Sequence, residues 1–105
     1  MARYAFKLRI KAAAIEEYER AHEQVWPELL AAIKAAGISK YSIFRRGQEL
    51  FFYMHIDDFD RAWDELAQVP INQHWQKEMA HLFEPVPDQQ PGERFPMMKE
   101  VFYLE

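Results

Sequence analysis

Tyrosine, histidine and tryptophan recur at four-residue intervals in the stretch Glu16–Leu29, as Tyr18, His22 and Trp26. At 3.6 residues per turn, that spacing places all three on one side of a helix. Ile15, Val25, Leu29 and Ile33 extend the same stripe, which is apolar except at His22. A histidine in that setting must find a hydrogen-bond partner or meet a ligand. Its ordinary role is a satisfied core residue. Its chemical role is proton transfer, because imidazole titrates near neutral pH and both gives and takes a proton. Aromatic faces pack against the C–H faces of sugars, and tyrosine hydroxyls bond sugar hydroxyls. A pocket of one histidine, two tyrosines and a tryptophan therefore suits a neutral polyol. Tyr41 and Trp75 are the further ring candidates, though Trp75 taken alone is more often core than ligand platform and Tyr41 is as ambiguous.

Other chemistries find less support. The four histidines are His22, His55, His74 and His81. No HExxH occurs, and His74 and His81 have no carboxylate at a convincing ligand spacing, so no metal site is expected. Cysteine is absent, which removes disulfides, thiolate metal sites and thiol nucleophiles. With three glycines there is no phosphate-binding loop. Ser39 and Ser42 are the only serines and sit on or beside a strand, not on an elbow turn.

The elements that must position these residues follow from the pattern along the chain. Its 105 residues, half of them hydrophobic and 15% aromatic, fit one ordered domain with one core, 1–105. The net charge of −4 argues against nucleic acid and gives no attraction to a membrane surface. No run reaches the ~18 apolar residues of a membrane span. The start, MARYAFKLRI, alternates and lacks the apolar core of a signal peptide. A soluble, cytoplasmic protein is expected.

Residues 3–10 alternate as a strand, with Tyr4, Phe6, Leu8 and Ile10 on one face. A helix is expected from about Ala12 to Ala36, stopped by Gly37. Pro27 cannot donate to Glu23, so a kink or break is expected at Trp26–Pro27, with a carbonyl left free beside His22. Residues 39–46 and 50–57 read as strands joined by a turn at Gly47. In the second of these, Leu50, Phe52, Met54 and Ile56 form one face, and Phe51, Tyr53 and His55 the other. Both faces are apolar or aromatic, the mark of a strand covered on both sides. Phe59, Ala62, Trp63 and Leu66 give a helical stripe after an Asp57 or Asp58 cap. Pro70 opens another helix with Ile71, Trp75, Met79 and Leu82 inward. Four prolines make 84–96 a loop or extended arm. A last strand is expected over 99–105.

The order β-α-β-β-α-α-β matches an α+β, ferredoxin-like split βαβ fold with an extra helix before the last strand. Helices cover one sheet face. The other, carrying Phe51 and Tyr53, is most simply covered by a second copy, giving a twofold homodimer whose arms and final strands can reach across.

The segments EEYERAHEQVWPEL, KYSIF, QHWQKEM and the terminal EVFYL resemble the L-rhamnose mutarotase family, end to end and at nearly the same length. The resemblance implies a dimeric α/β barrel that interconverts α and β pyranose anomers of a deoxyhexose, most simply L-rhamnose, without a cofactor. It implies His22 as proton donor and Tyr18, Tyr41 and Trp75 as sugar contacts. The family pattern carries two adjacent tryptophans here, whereas Trp75 is followed by Gln76, which becomes a substrate-binding candidate at the pocket mouth. The loop between the second and third strands is also a residue shorter. The base is not identified; water, a tyrosine and a carboxylate remain open. Two rivals stay open as well: a non-catalytic sugar-binding dimer, and a small oxygenase on the same dimeric barrel.

Overall fold

The computed structural model describes residues 2–105. Strand β1, Ala2–Ile10, leads through a 3-10 turn at Ala12–Ala14 into helix α1, Ile15–Ala21. Helix α2, Pro27–Ala35, is followed by the hairpin β2, Ser39–Arg46, and β3, Glu49–Ile56. Helices α3, Phe59–Ala67, and α4, Pro70–Met79, come next, then the two-residue strands β4, Phe83–Glu84, and β5, Met97–Met98.

The sheet is antiparallel, in the order β2-β3-β1-β4, with β5 also on β1. That is the ferredoxin-like α+β topology, here curled into a half-barrel. The inward row of β3, Leu50, Phe52, Met54 and Ile56, is buried to 6% exposure or less. Phe6 and Ile10 from β1, Leu29 from α2, and Ala62 and Leu66 from α3 complete the core. Asp58 caps α3 by accepting the Arg61 backbone N–H at 3.2 Å.

Three expectations change. First, the long helix breaks five residues before its proline. α1 ends at Ala21, His22 is its C-cap, and α2 restarts at Pro27, where a proline costs no hydrogen bond. Tyr18, His22 and Trp26 therefore do not share one continuous helix. Second, β2 contains a bulge: Ser39 pairs with His55 but Ser42 with Tyr53, and Lys40 takes φ +48. The extra residue changes the alternation, so that Ile43 pairs with inward-facing Phe52 and Tyr41 packs against the core.

Third, no strand forms over 99–105. Met98 already pairs with Ala5, so an antiparallel continuation would pass the start of β1 within a few residues. Ladder partners run out, and side chains take over. Arg3 makes a bidentate pair with Glu100 at 2.8 and 2.9 Å and lies 3.4 Å from the Tyr103 ring centre. The proline-rich arm is held the same way. Lys7 pairs with Asp88 at 2.7 Å and Arg9 with Glu84 at 2.8 Å. The basic row of β1 thus clasps the chain's own C-terminal third.

Candidate active site

Helix termination places the imidazole. His22 Nδ1 lies 2.8 Å from the carbonyl oxygen of Tyr18, one turn back. A carbonyl only accepts, so Nδ1 carries the proton and donates it. That bond fixes the tautomer and leaves Nε2 without the proton. The carbonyl that holds the ring is Tyr18's, which also accepts the His22 backbone N–H at 3.3 Å, and not one freed by Pro27.

Rings hold His22 from two sides. Tyr18 lies 4.2 Å away between centroids, and Trp75 meets it edge-on at 5.4 Å. Trp26 comes in from the start of α2, perpendicular to Trp75 at 5.0 Å. Trp75 rather than a shared helix therefore joins Trp26 to the group.

Beside these rings lies a cavity of about 350 Å³, between α2, α4 and the inner sheet face. That is within the usual range for small-ligand sites. His22, Tyr41, Trp75 and Gln76 line it. A smaller recess of about 120 Å³ shares these four and adds Tyr18. All five residues singled out from the sequence thus border one or both of two adjoining hollows. The bulge in β2 brings Tyr41 there, and α4 carries Trp75 and Gln76.

Burial pushes the phenol pKa of Tyr18 up. Tyr41 is raised for the same reason, and further by its nearness to Tyr18. Both remain neutral phenols at pH 7, able to orient a hydroxyl but not to act as phenolate bases. Neither hollow has an Asp or Glu in its lining. His74 and His81 face carboxylates elsewhere, Glu78 at 3.3 Å and Glu17 at 3.0 Å. Among the described residues, no group of three or more His, Cys, Asp or Glu is placed to hold a metal.

Two lining residues escaped the sequence reading. Trp63, counted there as plain core, borders both hollows, and its buried Nε1 has no hydrogen-bond partner among the described residues. Such a donor is costly unless an acceptor arrives, by about 1–3 kcal/mol. Asn72 is 7% exposed, a buried polar residue one turn before Trp75 and Gln76. Its signal was a polar residue inside the apolar stripe of α4.

The fold and the hollow define a class: a small α+β-barrel domain enclosing a ring-lined, sugar-sized pocket with a titratable imidazole in its wall. The comparisons with known proteins narrow it. A family model described as L-rhamnose mutarotase matches residues 3–104. An L-rhamnose mutarotase of Opitutus terrae is 38% identical over 107 aligned positions, and one of Salmonella newport 36%, each covering the whole of both chains. The crystal structure of an L-rhamnose mutarotase from Formosa agariphila superposes with a TM-score of 0.80 at 32% identity over all of both chains. Tetracenomycin F2 cyclase of Streptomyces glaucescens, at TM-score 0.64 and 19% identity, shares the fold, covering 100% of this chain and 97% of its own. The chain belongs to the L-rhamnose mutarotase family, and so to the isomerases. No helix among the described residues is long and apolar enough to cross a membrane.

Proposed function

We propose that this protein interconverts the α and β pyranose anomers of L-rhamnose, with His22 as the proton donor. The observation that carries this is the Nδ1 bond to the Tyr18 carbonyl, which leaves Nε2 free on a ring bordering the pocket. Mutarotation breaks the bond between the anomeric carbon and the ring oxygen. The anomeric hydroxyl loses its proton and the ring oxygen gains one, giving the open aldehyde. Rotation and reclosure on the other carbonyl face return both protons. Protonated His22 gives the ring oxygen its proton from Nε2. With both phenols neutral and no carboxylate in the lining, water takes the anomeric proton. Tyr18 and Tyr41 orient the sugar hydroxyls, Trp75 packs under its C–H face, and the Trp63 indole offers a donor. Gln76 stands at the mouth.

The test is saturation-transfer NMR on L-rhamnose. Wild type accelerates anomer exchange, and His22→Ala, folded by circular dichroism, loses about 10²–10⁴-fold of that acceleration. A folded His22→Ala with the full rate overturns the assignment. Sugar binding by calorimetry with no exchange above the buffer rate means a binding protein; a haem-coloured preparation with no exchange means an oxygenase.

The working unit in this reading is a twofold homodimer. Phe51, Tyr53 and His55 are half-buried on the sheet face that no helix covers, and Phe44 is 62% exposed. Val101, Phe102 and Leu104 on the unpaired tail are 78–87% exposed. Apolar surface of this extent on a small protein marks an association site. Two sheets packed face to face would cover the first set, and tails reaching across would cover the second.

A further inference from the structure

Gln76 lines the larger cavity, and its neighbours decide which end of its amide can meet a ligand. The chain of donors starts at Leu66, whose backbone carbonyl accepts from Asn72 Nδ2 at 3.1 Å. A carbonyl cannot donate, so Asn72 must turn its nitrogen that way. Its oxygen Oδ1 is thereby aimed elsewhere, and it receives Gln76 Nε2 at 3.4 Å. An amide oxygen cannot donate either, so Gln76 must turn its own nitrogen inward. What remains is Gln76 Oε1, which no protein donor holds among the described residues. Asn72 and Gln76 both line the larger cavity, one turn apart on α4. Each orientation is forced by the group before it.

We propose that Asn72 is a positioning residue that makes Gln76 present an acceptor, so that the pocket selects a sugar hydroxyl able to donate at that point. The proposal rests on the mutarotase reading. The natural position for such a hydroxyl is away from the anomeric carbon, because His22, at the cap of α1, and Gln76, on α4, line the cavity from different elements. The contact therefore governs affinity and KM rather than the bond-breaking step.

The probes are L-rhamnose and its 2-, 3- and 4-deoxyfluoro derivatives, in which fluorine keeps the size of a hydroxyl but cannot donate. In wild type, one of the three binds about tenfold more weakly than the parent by calorimetry. In Asn72→Leu, Gln76 is free to turn its nitrogen outward, and that penalty shrinks to about twofold. Gln76→Glu, whose carboxylate only accepts, restores the penalty in the Asn72→Leu background. For L-rhamnose, KM rises in Asn72→Leu while kcat stays within about twofold. A variant-free check is also available. In the wild-type complex the Gln76 Nε2 protons show Overhauser contacts to Asn72 and none to the sugar. Equal binding of all three fluorinated sugars by wild type overturns the proposal. So does an unchanged penalty in folded Asn72→Leu, or a contact between the Gln76 nitrogen protons and the sugar. If wild type neither binds L-rhamnose nor speeds its anomer exchange, the mutarotase reading fails instead.

Discussion

The outer rows of β1 and β3 lie side by side on one face of the sheet, and they are finished differently. Arg3, Lys7 and Arg9 of β1 are each paired with an acid from the chain's own C-terminal third, Glu100, Asp88 and Glu84. Phe51 and Tyr53 of β3, opposite Lys7 and Ala5, have no such cover. Tyr53 turns its hydroxyl to His55 Nε2 at 2.8 Å, a bond within the strand. A charge is satisfied by one counter-charge on a passing arm, and such pairs close locally. Apolar rings need removal of area from water, and the arm spends its own ring, Phe95, on the inner face, stacked 4.1 Å from Phe6. One row is closed within the chain, and in the proposed homodimer the other is covered by a second copy.

The widest break in that comparison comes from charging the open row. Phe51→Glu would bury one carboxylate per subunit in a twofold interface, at about 3–5 kcal/mol each. Sedimentation should change from a species near twice 12.6 kDa to monomer or aggregate. A well-folded wild-type monomer at micromolar concentration would sink the idea that this face is covered.

The residue next to Phe51 tests the closed side. Leu50 is fully buried on the inner face. Leu50→Ala should lower stability by about 2–5 kcal/mol in denaturant titration. Because the loss lies within the subunit, it should leave the dimer dissociation constant nearly unchanged below the unfolding midpoint. A selective loss of dimer would mean that the two faces are not independent.

The pocket mouth is a third surface left open, at Gln76. Gln76→Trp restores a ring there and should tighten sugar binding by about 1–2 kcal/mol while reducing discrimination between L-rhamnose and its epimers. Equal affinities for every sugar, in wild type and variant alike, would place Gln76 outside recognition.

The smallest effect concerns the clasp on β1. Arg3 holds the Glu100 carboxyl below the ordinary range, and Lys7 does the same for Asp88. A depressed folded-state pKa contributes stability above the unfolded value and loses it as pH falls through the folded one. The arm should stay docked from neutral pH down to about pH 4, the unperturbed carboxylate range, and loosen only below it. Hydrogen exchange of the Lys7 amide, which donates to the Pro96 carbonyl at 3.1 Å, reads this directly. Loosening already at pH 6 would assign the docking to something other than these pairs.

Much of this arrangement is legible in the sequence because it depends on local periodicity. Alternation in RYAFKLRI and LFFYMHID fixes two strands and their inward rows. The spacing of Phe59, Ala62, Trp63 and Leu66 fixes α3, and Pro70 fixes the start of α4. His22 among rings, with Tyr41 and Trp75 as further candidates, is visible as residue types alone. These features follow from backbone geometry repeated every two or 3.6 residues, which each stretch carries by itself.

Only the tertiary structure decided the rest. The turn that aims Tyr41 inward is a bulge against β3, and a bulge exists only relative to a partner strand. The missing strand at 99–105 depends on where β1 begins, nearly a hundred residues earlier in the chain. The anchoring of His22 depends on α1 stopping at Ala21, where the imidazole meets Trp75 from α4. The hold on the Gln76 nitrogen depends on a hydrogen-bond chain that starts at the Leu66 carbonyl. In each case the deciding group is distant in sequence or belongs to the backbone, and its effect arises only after the sheet and helices have met.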